Sequence, residues 1–449
     1  MSPTFTKSGL STVLDELNSL TPGDGVFVAR IRVPFEDSCL LQFLEQQVVY
    51  PKLYWSARDC SDVSIGIGAA LHFVDFHDED HLEASVSVCQ TFLQKEPSLK
   101  VFSRLSFETQ CMVDDAVQPF MLVPLFEIEK SNQKMDLICN VLLQEGESWA
   151  LKKKDILSKL NRLVASTPLN WETTPSFISR QDSPAYPQWE NCVKTVSSEL
   201  NRGGVEKVVL ARQSRFQFSN SVSPYQLLHH IIEREPNTFH FAFEMTPHKA
   251  IIGGTPESLF YRQGVRLFTE AIAGTRPRHV SKIKDVGLAE DLCSTEKDIH
   301  EHQFVVEDLV KKLDALCTMV RKDPKRSILK LTFVQHLLVR LEGTLKKSIS
   351  DMSILKTLHP TPATAGVPLE SALSMIKALE PFERNWYASP VGWFSKEESL
   401  FVVGIRSAAV LDSQVLLRAG AGIVKGSTPK DEWDEIENKI KLFLTLFGG

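Results

Sequence analysis

The stretch 400–420, LFVVGIRSAAVLDSQVLLRAG, decides the fold. Two apolar, β-branched runs, Leu400–Val410 and Val415–Ala419, flank the turn pair Asp412–Ser413. That order writes an antiparallel hairpin. Upstream the same text recurs: Asn385–Phe394 is strand-like, Leu369–Leu379 has helical spacing, and Val334–Leu345 alternates as a strand. A long helical stretch runs from Asp285 to Val320. Before it, Gln263–Gly264 separates Ser258–Tyr261 from Val265–Thr269 as a hairpin turn would, and His240–Met245, Ala250–Gly253 and Lys207–Arg212 (KVVLAR) read as further strands. Downstream, Ser427-Thr428-Pro429 opens a helix through Phe447, with hydroxyl caps and proline in the first turn. Many strands with few strict βαβ alternations predict an α+β fold with large, mostly antiparallel sheets.

The 449 residues allow two or three domains or one large core. Hydrophobic residues at 43% and charged residues at 24% exclude wholesale disorder. Fifty basic against 56 acidic side chains give a net charge of −6, and the absence of a long basic run argues against nucleic-acid binding. An anionic ligand would need local cations to overcome that field. No apolar run reaches the roughly 18 residues that span a bilayer, and Met1–Leu20 is too polar for a signal peptide, so no membrane partner is expected. Cys39, Cys60, Cys89, Cys111, Cys139, Cys192, Cys293 and Cys317 are scattered without a CxxC pair, which reads as reduced thiols in a cytoplasmic protein.

Pro168, Pro175, Pro184 and Pro187 mark Ala165–Gln188 as a boundary between an N-terminal sheet-forming region, 1–165, and a second region, 186–449. Both are expected to share one compact domain. Upstream, Val26–Val33 and Met121–Leu125 read as strands and Lys152–Leu163 as a helix. His72, His77 and His81 lie near Asp75, Asp78 and Asp80, but they fit no metal-ligand spacing and read as a solvated loop.

Four constellations carry chemistry. Asp298 and Glu301 share a helix face, and Glu432 and Glu435 repeat that spacing on the last helix, with Lys439 one turn beyond. Two such acidic faces brought together suit Mg²⁺; apart, they are solvated salt-bridged helices. Gly253-Gly254-Thr255-Pro256-Glu257 pins a tight turn that presents Glu257, and a shielded turn carboxyl can serve as a general acid. Ala271-Ile272-Ala273-Gly274-Thr275-Arg276-Pro277 offers backbone N–H and hydroxyl groups to an anion. Ala419-Gly420-Ala421-Gly422 lets a ligand approach the backbone closely, while the GxGxxG and GKS nucleotide patterns are both missing.

KVVLAR, GGTPES, AIAGTRPR, KDIHEHQFVVEDL, LHPTPATAG, FVVGIRS and AGAGIVKGSTPKDEWDEIENK occur in that order between Tyr186 and Leu446. This succession resembles the chorismate-utilising enzymes, the anthranilate synthase component I-like family. Leu53-Tyr54-Trp55-Ser56-Ala57-Arg58 is similar to the family's N-terminal sheet. The resemblance implies one large two-layered α/β sandwich with the site in a cleft between its halves.

The resemblance also implies roles. Lys207 resembles the base that activates a water nucleophile, and Glu257 the acid that protonates the departing C4 hydroxyl of chorismate. A lysine base needs its pKa lowered and a glutamic acid needs its raised. Ammonia-using relatives carry glutamine at the Lys207 position, and those using a covalent lysine carry it where this chain has Ala273. Lys207 with Ala273 therefore points to water, and so to isochorismate, with no glutaminase subunit. Salicylate synthase chemistry, a siderophore-pathway enzyme and a non-catalytic binding homologue stand as alternatives. Glu301 and Glu435 resemble the Mg²⁺ ligands, and Asp298 and Glu432 the outer carboxylates that hold metal waters. Arg406 and Tyr387 resemble the clamp on the pyruvyl carboxylate. Gly274, Thr275, Gly420, Gly422 and Lys439 resemble further substrate contacts, and His359 a cleft histidine beside the ring. The overall text looks most like the menaquinone-pathway members, and a monomer or weak homo-oligomer is expected.

Overall fold

The computed structural model describes residues 7–448 except 38, 59, 75, 77, 109–117, 132–133 and 173–175. The protein has the α+β fold, a large two-layered sandwich whose strands join one open, hydrogen-bonded network. Every ladder among the described residues is antiparallel. Helices pack against the sheet: Glu296–Leu316 lies on the Arg266–Pro277 strand, and Pro429–Leu446 lies on the Gln414–Ile423 strand.

The hairpin at the C-terminal end forms as the turn pair requires, with Ser407–Leu411 against Gln414–Ile423. Its second strand pairs with Lys207–Phe218, in a register that sets Gly422 opposite Val209 and Ile423 opposite Val208. Arg266–Pro277 pairs with Val334–Leu345, and the register slips between Ala273 and Thr275. Gly274, at φ +71, is the extra residue of that bulge. Strands from early in the chain run into the same network: Lys52–Ser56 pairs with Phe239–Thr246, and Val101–Arg104 pairs with Pro390–Phe394.

Four elements differ from the reading of the sequence. Leu400–Val410 is not one strand: it divides into Glu398–Val403 and Ser407–Leu411, because Arg406 takes φ +51 and breaks the pleat. Asn385–Phe394 is a strand only from Pro390, since Asn385 and Ala388 also have positive φ and form a turn that carries Tyr387. Asp285–Val320 comprises the helices Lys282–Ser294 and Glu296–Leu316, followed by the start of a strand at Cys317. The helices part at Thr295, whose ψ of 120° is extended and whose hydroxyl donates to the Asp291 carbonyl at 2.8 Å. The proline-rich 165–188 segment contains a strand, Phe177–Ser183, that pairs with Lys207–Phe218. Of the histidine and aspartate group, His72 lies in the Asp62–Val74 strand, and Asp78 caps the Glu79–Lys95 helix by accepting from the His81 amide at 2.8 Å. Asp75 and His77 lie outside the described residues.

Candidate active site

The ladder and the bulge converge on a cleft of about 830 Å³ of empty space, solvent at its mouth included. Lys207, Glu257, Gly274, Thr275, Glu301, Tyr387, Arg406, Gly420, Gly422, Glu435 and Lys439 all line it. The candidate residues thus come from five helices and strands and three turns, and they meet on one surface.

Lys207 opens its strand and is 1% exposed. Its Nζ donates to Glu301 Oε1 at 2.9 Å. Gly422 sits beside this pair, where a Cβ would lie 2.9 Å from both Glu301 Oε1 and Lys207 Cε. A methyl group there would push the ends of those two side chains aside. Lys439 Nζ donates to Glu435 Oε1 at 2.5 Å, one helical turn away, and to the Gly420 carbonyl at 2.8 Å. Each of the two cleft carboxylates is therefore held by a lysine.

Glu257 is 5% exposed. Its amide donates to Thr255 Oγ1 at 3.3 Å, and its carbonyl accepts from the Val403 amide at 3.1 Å. Burial pushes its carboxyl up to about 7, against the pull of Lys207 and with a push from Glu270. It is poised to hold a proton near neutrality. Arg406 closes another wall. Among the described residues its guanidinium has no hydrogen-bond or ion-pair partner, and burial presses its pKa down from the ordinary value. The neighbouring Tyr387 phenol is pushed up to about 12, first by burial. A fixed cation with a neutral hydroxyl beside it is a receptor for a carboxylate.

One sequence-based expectation needs correction. His359 does not line the cleft. Its half-buried ring packs beside the Tyr387 turn, with Nε2 3.0 Å from the Ala388 carbonyl and its plane edge-on to Phe107. Burial lowers it to about 4. It is a packing histidine. Asp298 and Glu432 are buried but do not line the cleft either. The Asp298 carboxylate accepts from Arg276 Nη2 at 2.6 Å.

The sequence reading missed several polar cleft residues, His336 among them. His336 lies opposite Thr275 in the ladder, and its Nδ1 is 3.0 Å from the Gly274 carbonyl. That bond puts the proton on Nδ1 and leaves Nε2 as an acceptor. Burial, Arg406 and Lys439 together lower the ring to about 3, so it stays neutral. Its signal is a polar Gln-His pair, Gln335-His336, directly before the apolar run Leu337–Val339.

A cleft that brings together a buried lysine and a buried glutamic acid raised to about 7, with two further carboxylates and an open arginine, has the equipment of the chorismate-binding enzymes. Residues 24–448 match the family model described as chorismate binding enzyme, and the chain belongs to that family. The chain is similar to isochorismate synthase MenF of Escherichia coli, at 30% identity with 98% of each chain covered. Isochorismate synthase 2, chloroplastic, of Arabidopsis thaliana is 31% identical over 98% of this chain and 84% of its own length. The solved structure of MenF, the menaquinone-specific isochorismate synthase from Escherichia coli, superposes with a TM-score of 0.87 at 29% identity, covering 98% of this chain and 99% of that one.

Proposed function

We propose that this enzyme is an isomerase that interconverts chorismate and isochorismate, adding water at C2 and releasing the C4 hydroxyl. One observation carries this reading: Lys207 and Glu257, whose carboxyl burial raises to about 7, line a single cleft together with the small Ala273. The carboxyl of Glu257 donates its proton to the leaving hydroxyl. Lys207 Nζ, in its uncharged amine form, accepts a proton from the incoming water, and the reverse reaction exchanges these duties. Arg406 and Tyr387 hold one substrate carboxylate.

Glu301 and Glu435 would hold Mg²⁺. Their donor set fits it, because Mg²⁺ takes one or two protein carboxylates and completes its shell with water and substrate oxygens. When bound, the metal would neutralise the ring carboxylate. Lys207 and Lys439 each pair with one of the two glutamates. With Glu257 neutral, the four cations that line the cleft, Lys207, Arg406, Arg418 and Lys439, exceed the carboxylates of Glu301 and Glu435 by two charges, which favours an anionic substrate. The end-to-end similarity to a menaquinone-specific enzyme supports a menaquinone-pathway role. The seven free cysteines among the described residues suit the reducing cytoplasm. No helix among the described residues is long and apolar enough to cross a membrane.

The test is direct. Protein incubated with chorismate and Mg²⁺ in ¹⁸O-water, without ammonia or a second subunit, yields isochorismate labelled at C2. Salicylate and pyruvate as the main products would overturn the assignment.

A further inference from the structure

Arg58 comes from the N-terminal region, in the turn after the Lys52–Ser56 strand, yet it reaches the catalytic turn. Its Nη2 donates to the Pro256 carbonyl at 2.5 Å. Its Nη1 donates to Glu270 Oε1 at 2.9 Å, and Nη2 also pairs with Glu270 Oε2. The guanidinium lies over the Phe239 ring, 4.7 Å from its centre. Pro256 lines the cleft and precedes Glu257; Glu270 begins the run that leads to Ala273, Gly274 and Thr275 on the facing wall. One planar fork thus ties the turn that carries the acid to the strand that carries the opposite wall. The other polar groups of that turn have different anchors: the Thr255 hydroxyl donates to the Val403 carbonyl at 2.7 Å, and the Val403 amide donates to the Glu257 carbonyl. Arg58 anchors the peptide between Pro256 and Glu257. To serve both oxygens it leaves its own Nε buried without a hydrogen-bond partner. Arginine suits this task because its donors are fixed in one plane, whereas lysine offers a single nitrogen.

We propose that Arg58 is a positioning residue for the acid, holding the Pro256–Glu257 peptide against the Arg266–Pro277 strand so that the Glu257 carboxyl points into the cleft. The inference rests on reading Glu257 as the general acid. A displaced catalytic group loses rate with little loss of binding.

The experiment compares the full-length protein with Arg58→Ala, Arg58→Lys, Glu270→Gln and Glu257→Gln, using chorismate and Mg²⁺. Arg58→Ala lowers kcat by about tenfold or more, with KM within about twofold, and added guanidinium ion restores part of the loss. Arg58→Lys and Glu270→Gln, which each keep part of the fork, fall between Arg58→Ala and wild type. Wild-type kcat in both Arg58 variants overturns the proposal, as does a loss that follows the unfolded fraction and resists guanidinium. If Arg58→Ala does not fold, Arg58→Lys decides: a lower kcat at constant KM supports the proposal, and an unchanged kcat overturns it. The two readings separate cleanly. An active Glu257→Gln removes the acid itself, whereas an inactive Glu257→Gln beside fully active Arg58 variants removes only the positioning role.

Discussion

Glu257→Gln should make the protein more stable and stop it working. The carboxyl is 5% exposed, and burial raises it from 4.5 to about 7. The folded state therefore binds this proton more tightly than the unfolded chain does. The stability that comes with the proton is full below pH 4.5 and is lost as pH rises through 7. At 1.36 kcal/mol per pH unit, the loss reaches about 3 kcal/mol by pH 8. Glutamine has nearly the same shape and no charge to bury, so the variant escapes that loss. Urea unfolding of both proteins at pH 5 and pH 8 measures it. The variant should gain about 2–3 kcal/mol on wild type at pH 8 and well under 1 kcal/mol at pH 5. Its turnover should fall by about 10²–10⁴-fold at both pH values, because glutamine has no proton to give. A stability difference that does not change with pH, or a variant less stable than wild type at pH 8, would refute the claim that this carboxyl is stored neutral. In wild type the same ionisation should produce a decline in kcat above neutrality.

Lys207→Ala should cut the rate by about 10²–10⁴-fold while isothermal titration shows chorismate still binding. Gly422→Ala should abolish most activity, since its methyl would sit 2.9 Å from Glu301 Oε1 and force the Lys207–Glu301 pair apart; circular dichroism should stay near wild type. Arg406→Ala should raise KM by about 10–100-fold through loss of a charged hydrogen-bonding partner, with a smaller effect on kcat, read from steady-state kinetics. Glu380→Gln should destabilise by about 3–5 kcal/mol in denaturant titration. It strips the partner from Arg384, which is fully buried and bonds Glu380 at 2.5 Å.

Local patterns were legible in the sequence, and closures were not. The Asp412–Ser413 hairpin and the strands at Lys207 and Val334 follow from alternation and turn chemistry, which act within a few residues. The break at Arg406 leaves no such trace, because Gly404-Ile405-Arg406 stands between β-branched runs and its strained backbone is imposed from outside. The helix break did have a signal, since Thr295 with Asp298 three residues on matches a capping pattern, but the apolar spacing on either side hides it. Spacing put Asp298 and Glu301 on one helix face, yet only tertiary structure brings Arg276 to Asp298 and leaves Glu301 to Lys207. His336 and His359 exchange the places that the text suggested for a cleft histidine. The register of the Arg266–Pro277 ladder decides this, and register depends on the Gly274 bulge rather than on composition.

The pairing of early strands with late ones has a consequence for synthesis. Val101–Arg104 has the Pro390–Phe394 strand as its neighbour, and Arg104 donates to an Asn385 side chain 281 residues further along the chain. A ribosome adding roughly 5–20 residues per second needs roughly 15–60 seconds to make that stretch. For all of that time the Val101–Arg104 edge is in the cell without its partner. Nascent chains released early should therefore be sensitive to protease and sticky toward one another. Expression yield should respond more to temperature and holding chaperones than the finished protein's stability would suggest.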